Sequence, residues 1–209
     1  MATKCVHIVR KPNLSEAVCA LTVPFIKEYA RRIGAELNVV GNTRAFPDYP
    51  TTYERMQIFA TGRTYSWNIC VDTDMLLGPS LVDVTTTVPR ESIGLIMNYS
   101  ASQAFPVNNR FFLRDGRDFV PVESFVVSSD WTHDVWEPLR GNSLTHMTMV
   151  FSEDQIAEYT LAHNIAKYGL KCAGALPPGS QIARVTPDNA GGNQEVEYVR
   201  ATLLSWGHK

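Results

Sequence analysis

The chain has no apolar run long enough to cross a bilayer, no cysteine pair at metal-ligand spacing, no basic stripe and no internal repeat. Each absence removes a class of function. A membrane-spanning helix needs about 20 consecutive apolar residues, so no membrane span is expected. Lys and Arg number 19 against 21 Asp and Glu, a net charge of -2 with both signs scattered, so a nucleic acid polymer is not the expected partner. A nucleotide remains compatible with that balance, because one metal ion can neutralise a diphosphate. Cys5, Cys19, Cys70 and Cys172 stand far apart among apolar neighbours and read as buried thiols in a reducing compartment, not as a zinc site. Residues 1–9 open on a strand-like stretch and not on a signal peptide, which points to the cytoplasm.

What the sequence does have is alternation. Its 209 residues suit one domain with a core that needs no disulfide or structural metal. Residues 5–9 read as a strand, 12–32 as a helix stopped by Gly34, and 36–40 as a second strand. Thr51 and Thr52 can cap a helix containing Tyr53, Arg55 and Phe59, which Gly62 ends before a buried strand at 65–71. Strands alternating with helices predict a single-domain α/β fold with a Rossmann-like, mainly parallel twisted sheet flanked by helices. Residues 93–97 and 125–128 read as further strands, and 177–193 as a turn-rich late segment. Residues 101–118 carry Phe105, Phe111 and Phe112 without periodicity, and are either an acceptor-binding lid or a small hairpin packed on the core.

Asp72 and Asp74 follow directly on the buried strand at 65–71. Two acidic residues there either solvate a turn and cap a helix, or turn together toward one divalent ion that keeps open positions for phosphate oxygens. Strand carboxyl ends are where open α/β sheets bind ligands. The apolar run Met75, Leu76, Leu77 after the second Asp is more than a turn requires.

In this order of features the chain resembles a GT-A glycosyltransferase. Tyr53 to Phe59 followed by Trp67 to Leu76 looks like the helix and Asp-x-Asp strand of the retaining families that use nucleotide sugars. The stretch 122–131 looks like their next strand, the run Phe151, Ser152, Glu153, Asp154, Gln155 like their acidic helix start, and His208 like their C-terminal metal histidine. The chain is short for such a family, which implies a reduced acceptor region. The resemblance implies residues 1–100 as a nucleotide-binding half and 101–209 as an acceptor and catalytic half. It implies Mn²⁺ or Mg²⁺ held by Asp72, Asp74 and His208, and a UDP-sugar donor contacted by His7, Val9, Arg10, Tyr53, Arg55, Asp72 and Thr73. Glu153, Asp154 and Gln155 would face the sugar, and the acceptor would be a carbohydrate or other hydroxyl compound. Two alternatives stand beside it: an aspartate-nucleophile phosphohydrolase, whose motif normally opens the chain, and a nucleotide- or metal-binding domain without turnover.

Overall fold

The computed structural model describes residues 3–11, 14–96, 124–139, 147, 153–177, 179–185 and 193–207. Strands β1 (Lys4–Val9), β2 (Glu36–Val40) and β3 (Trp67–Asp72) pair in parallel in the order β2-β1-β3, as the alternation predicts. Helix α1 (Glu16–Arg32) joins the first two strands. It starts later than expected because Ser15 is its cap, accepting from the Val18 amide at 3.3 Å. Gly34, at φ 65°, takes the left-handed turn that ends it. The segment before β3 differs from the expected α-helix: Thr51–Gln57 winds as a 3-10 helix, and only Ile58–Thr61 (α2) is α-helical. Thr52, Tyr53, Glu54, Arg55 and Met56 are all buried, so tertiary packing and not helix propensity sets its winding.

Strands β5 (Ser92–Leu95), β6 (Phe125–Ser129) and β7 (Lys171–Gly174) complete a six-stranded sheet in the order β2-β1-β3-β6-β5-β7. Only β6 runs against the other five. Helix α3 (Glu153–Tyr168) covers one face and α1 the other. Side chains alternate across the sheet: Ile69, Val71, Phe125 and Val127 enter the α1 core, Cys70 and Val126 the α3 core. All six residues of β3 are buried, as expected of a strand covered on both faces. Because β6 is reversed, the chain leaves β5 at Ile96 and re-enters at Ser124 on the same sheet edge, the edge where β3 ends. The stretch 101–118 lies outside the described residues.

Past Asp72 the chain bends out of the sheet into β4 (Met75–Leu77), which pairs antiparallel with β8 (Ile182–Arg184). Strand β8 lies within the turn-rich stretch 177–193. Helix α4 (Asn193–Ser205) packs Val199 against Leu76 and Val185 of this ribbon. Gly78 closes it: its amide donates to the Gln181 carbonyl at 2.7 Å, and a Cβ there would lie 2.4 Å from the Gln181 Cβ. Among the described residues no helix is long and apolar enough to cross a membrane.

His7 sits in the middle of β1 on the α3 side, fully buried. Its Nε2–H donates to Asn68 Oδ1 at 2.9 Å, and its Nδ1 accepts from the Asn38 amide at 3.1 Å. Both ring nitrogens are therefore used in the neutral form. Burial holds its pKa down to about 4 from 6.5, against the bond to Asn68. The unfolded chain takes up this proton below pH 6.5 and the folded chain only near pH 4, so stability is full above that window and drains as pH falls through it. The expected loss is about 3 kcal/mol. Urea unfolding at pH 7 and pH 4.5 checks it: His7→Asn should lose less stability between the two than the native chain, and parallel losses would refute the assignment.

Candidate active site

The carboxyl ends of β1 and β3 and the start of reversed β6 meet at one sheet edge. Asp72 ends β3 with the same side-chain parity as Asn68 and Cys70, so its carboxylate points to the α3 side, where the 3-10 helix carries Arg55. Arg55 Nη2 donates to both Asp72 oxygens at 3.0 Å, and its Nε donates to the Thr52 carbonyl at 3.0 Å. Both side chains are almost wholly buried, at 2% and 1% exposure. Burial works against the guanidinium's charge, but the adjacent Asp72 carboxylate outweighs it and the arginine holds its proton more tightly than usual. Lys11 Nζ stands 3.6 Å from Asp72 Oδ2.

Thr73 stitches this edge together. Its amide donates to the Val9 carbonyl at 2.9 Å, its hydroxyl accepts from the Lys11 amide at 3.1 Å, and its carbonyl accepts from the Thr22 hydroxyl at 2.6 Å. The loop after β1, helix α1 and the acidic pair are thereby fixed to one another.

Asp74 is buried in a different way. Its Oδ2 accepts from Arg184 Nε at 3.1 Å and from the Ser124 hydroxyl at 3.4 Å. Its Oδ1 has no hydrogen-bond partner among the described residues. Burial, and then the charge of Asp72, push its pKa up, against Lys11 and Arg184. A buried carboxylate oxygen with no hydrogen-bond partner among the described residues, next to one held by Arg184, is the chemical feature of this edge. Thr73, between the two aspartates, also lines a cavity of about 460 Å³ between α1 and the ends of β1 and β2, together with Arg10, Cys19, Val23, Val39 and Asn42, among others.

The structure thus brings Arg55, Asp72, Thr73 and Asp74 together, with Val9 at the same edge through its carbonyl. Arg10 lines the cavity and pairs with Glu16. Two residues expected at the donor are corrected: His7 is spent on Asn38 and Asn68 inside the sheet, and Tyr53 lies in the α3 core, where its hydroxyl accepts from the Leu139 amide at 2.9 Å. Glu153, Asp154 and Gln155 form the first turn of α3, with the side chains of the first two outside the described part. His208 lies outside the described residues. Among the described residues no group of three His, Cys, Asp or Glu side chains converges on a metal position.

Sequence reasoning missed Lys11, Ser124, Glu158 and Arg184. Glu158, buried in α3, adds to the negative field at Arg55 and follows Asp154 by four residues, a spacing readable in advance. Arg184 had no sequence signal, since only the pairing of Met75 with Arg184 brings it to Asp74.

Removing one partner of a buried ion pair strands the other charge, at a cost of about 3 to 5 kcal/mol. Arg55→Met should show that loss in urea unfolding, and adding Asp72→Asn should recover much of it. Additive losses in the double variant would mean that the two side chains are not coupled.

No protein-family model and no curated protein sequence matches this chain. Solved structures do. A glycosyltransferase involved in glycosylation of the major capsid of PBCV-1 aligns with a TM-score of 0.57 at 10% identity, covering 95% of this chain and 99% of that one. The galactosyltransferase LgtC, solved with donor and acceptor sugar analogues, aligns with a TM-score of 0.54 at 10% identity, covering 95% and 96%. The mainly parallel sheet, its one reversed strand and these two likenesses give the chain a GT-A-like glycosyltransferase fold.

Proposed function

We propose that this protein is a metal-dependent glycosyltransferase that moves a hexose from a UDP-sugar to a hydroxyl acceptor with retention of configuration. The observation that carries this reading is the bare Oδ1 of buried Asp74 at the carboxyl edge of a glycosyltransferase-like sheet. A hard divalent cation suits it: the oxygen is buried, its proton affinity is raised, and the set of one or two carboxylates leaves most coordination positions to phosphate and water. When bound, Mn²⁺ or Mg²⁺ would neutralise charge on the departing diphosphate.

The chain's own residues divide the remaining work. Asp74 holds the cation through Oδ1. Asp72, oriented by Arg55, offers its remaining lone pairs as a second ligand or to the ribose hydroxyls. Lys11 and Arg184 supply positive charge to the diphosphate, and Thr73 keeps the loop after β1 in place. The adjoining cavity has the volume of a small-ligand site and offers Val23 and Val39 to a base, with Arg10 and Asn42 as polar partners. Glu153, Asp154 and Gln155 face the sugar, and His208 is a third metal ligand. Residues 1–100 serve the donor and 101–209 the acceptor. The galactosyltransferase LgtC, solved with donor and acceptor sugar analogues, has a similar fold, which supports a reaction between two sugar-bearing ligands. Four free cysteines support the cytoplasm as the compartment.

The phosphohydrolase alternative needs the first aspartate free to attack phosphorus. Asp72 instead has both oxygens bonded to Arg55 in the interior, which favours the transferase. A binding domain without turnover differs from it only in activity, and transfer assays separate the two.

Calorimetric titration of UDP with Mn²⁺, and again with EDTA, tests the reading. The native protein should bind only with the metal, and Asp74→Asn should weaken that binding about 100-fold or more, equal to about 2.7 kcal/mol. Its thermal midpoint should match or exceed the native one, because the substitution removes a buried charge. Equal UDP binding in Mn²⁺ and in EDTA would sink the proposal. Alanine at Glu153 or Asp154 should leave UDP binding near native and lower sugar transfer, and full transfer in both variants would reduce them to a helix cap.

A further inference from the structure

Asp74 meets Arg184 because the chain builds a separate device for the purpose. Arg184 is the last residue of the three-residue strand β8, which pairs with β4 outside the main sheet. The Val185 amide donates to the Asp74 carbonyl at 2.8 Å, which fixes the register that sets the guanidinium beside the carboxylate. Arg184 Nε then donates to Oδ2 while Oδ1 stays bare. The other carboxylate is handled differently: Asp72 is held by an arginine that is itself sealed in the core, whereas the Arg184 side chain is about one-third exposed. A pair with one partly exposed partner can open by swinging that partner toward solvent, while a pair sealed on both sides strands two buried charges when it opens.

We infer that Arg184 is the resident counter-ion of Asp74, and that it gives up the carboxylate when a divalent cation binds there and turns its guanidinium to the donor's diphosphate. This rests on the donor and metal reading above. Two cations cannot share one small carboxylate without repulsion, so each must weaken the other's hold by the same factor. The released guanidinium has a planar fork of donors suited to phosphate oxygens. Arg184 would thus keep Asp74 compensated before the donor arrives and join the diphosphate only once the metal has displaced it. Lys11 is the natural comparison. It also lowers the proton affinity of Asp74, by field and with no hydrogen bond to that carboxylate among those the structure records.

The test uses the full chain and reads metal binding, not turnover. Mn²⁺ affinity is measured by titration in the native protein, Arg184→Gln and Lys11→Met, and the Arg184 Nε–H signal is followed by NMR, assigned by its loss in Arg184→Lys. Arg184→Gln should bind Mn²⁺ about fivefold or more tightly than native, and clearly more tightly than Lys11→Met. Adding Mg²⁺ alone should expose the Nε–H to solvent exchange, and UDP should protect it again. Equal tightening in both variants would make Arg184 a background charge and overturn the exchange, as would an Nε–H that Mg²⁺ leaves protected. If the native protein and Asp74→Asn bind Mn²⁺ equally, the metal reading fails and the exchange with it. Asp74-dependent binding without tightening in Arg184→Gln overturns the exchange alone.

Discussion

The buried ion pair of Arg55 and Asp72 is the constraint on which the rest of this molecule depends. It closes the far end of the central strand against the 3-10 helix, and it is the reason five successive residues of that helix can lie inside the protein. Two charges in the interior are tolerable only when each satisfies the other and the remaining donors find partners. Here the Arg55 Nε does so on the Thr52 carbonyl, one turn back in its own helix. The same helix is tied to the preceding loop by Glu54, fully buried, which accepts from Arg44 Nε at 2.7 Å and from the Ala45 and Phe46 amides at 2.9 and 3.1 Å. Adjacent residues of one short helix thus anchor two different parts of the chain, Glu54 the loop and Arg55 the sheet.

From that anchoring follows a division of labour between two carboxylates of identical chemistry. Asp72 is the last residue of a strand, so its direction is dictated by sheet parity and its partner by the helix beneath. Asp74 lies two residues on, where the chain has left the sheet, and its surroundings come from β6, through Ser124, and from the β4–β8 ribbon. One carboxylate is held through both oxygens by an arginine sealed in the core; the other is buried and bonded through a single oxygen, to Ser124 and to a partly exposed arginine. Environment, not residue type, separates the two roles.

How much of this was legible in the sequence depended on whether the signal was local. Strand 36–40, the stop at Gly34 and the acidic pair at the end of β3 were readable because periodicity, a left-handed turn and an apolar run are written in consecutive residues. The orientation of β6 was not, since a short apolar strand looks the same in either direction and only its partners reveal which way it runs. His7 and Tyr53 were misread for a related reason. Polar side chains near a strand end or a helix start suggest a ligand until the residues that absorb them, Asn38, Asn68 and the Leu139 amide, are brought near by tertiary folding. Arg184 is the extreme case, reaching its partner across 110 positions of sequence.

The reversal of β6 has one more effect. Since the chain departs at Ile96 and returns at Ser124 on neighbouring strands of one edge, everything between them is tethered at two fixed points next to Asp72. The entropy of joining two fixed points through a chain grows only with the logarithm of the chain's length, about 0.6 kcal/mol for each doubling. A lineage could therefore lengthen, shorten or replace that stretch at small thermodynamic cost, while the sheet and the acidic edge stay as they are. Changes of length there and constancy of the sheet would then be compatible in one chain.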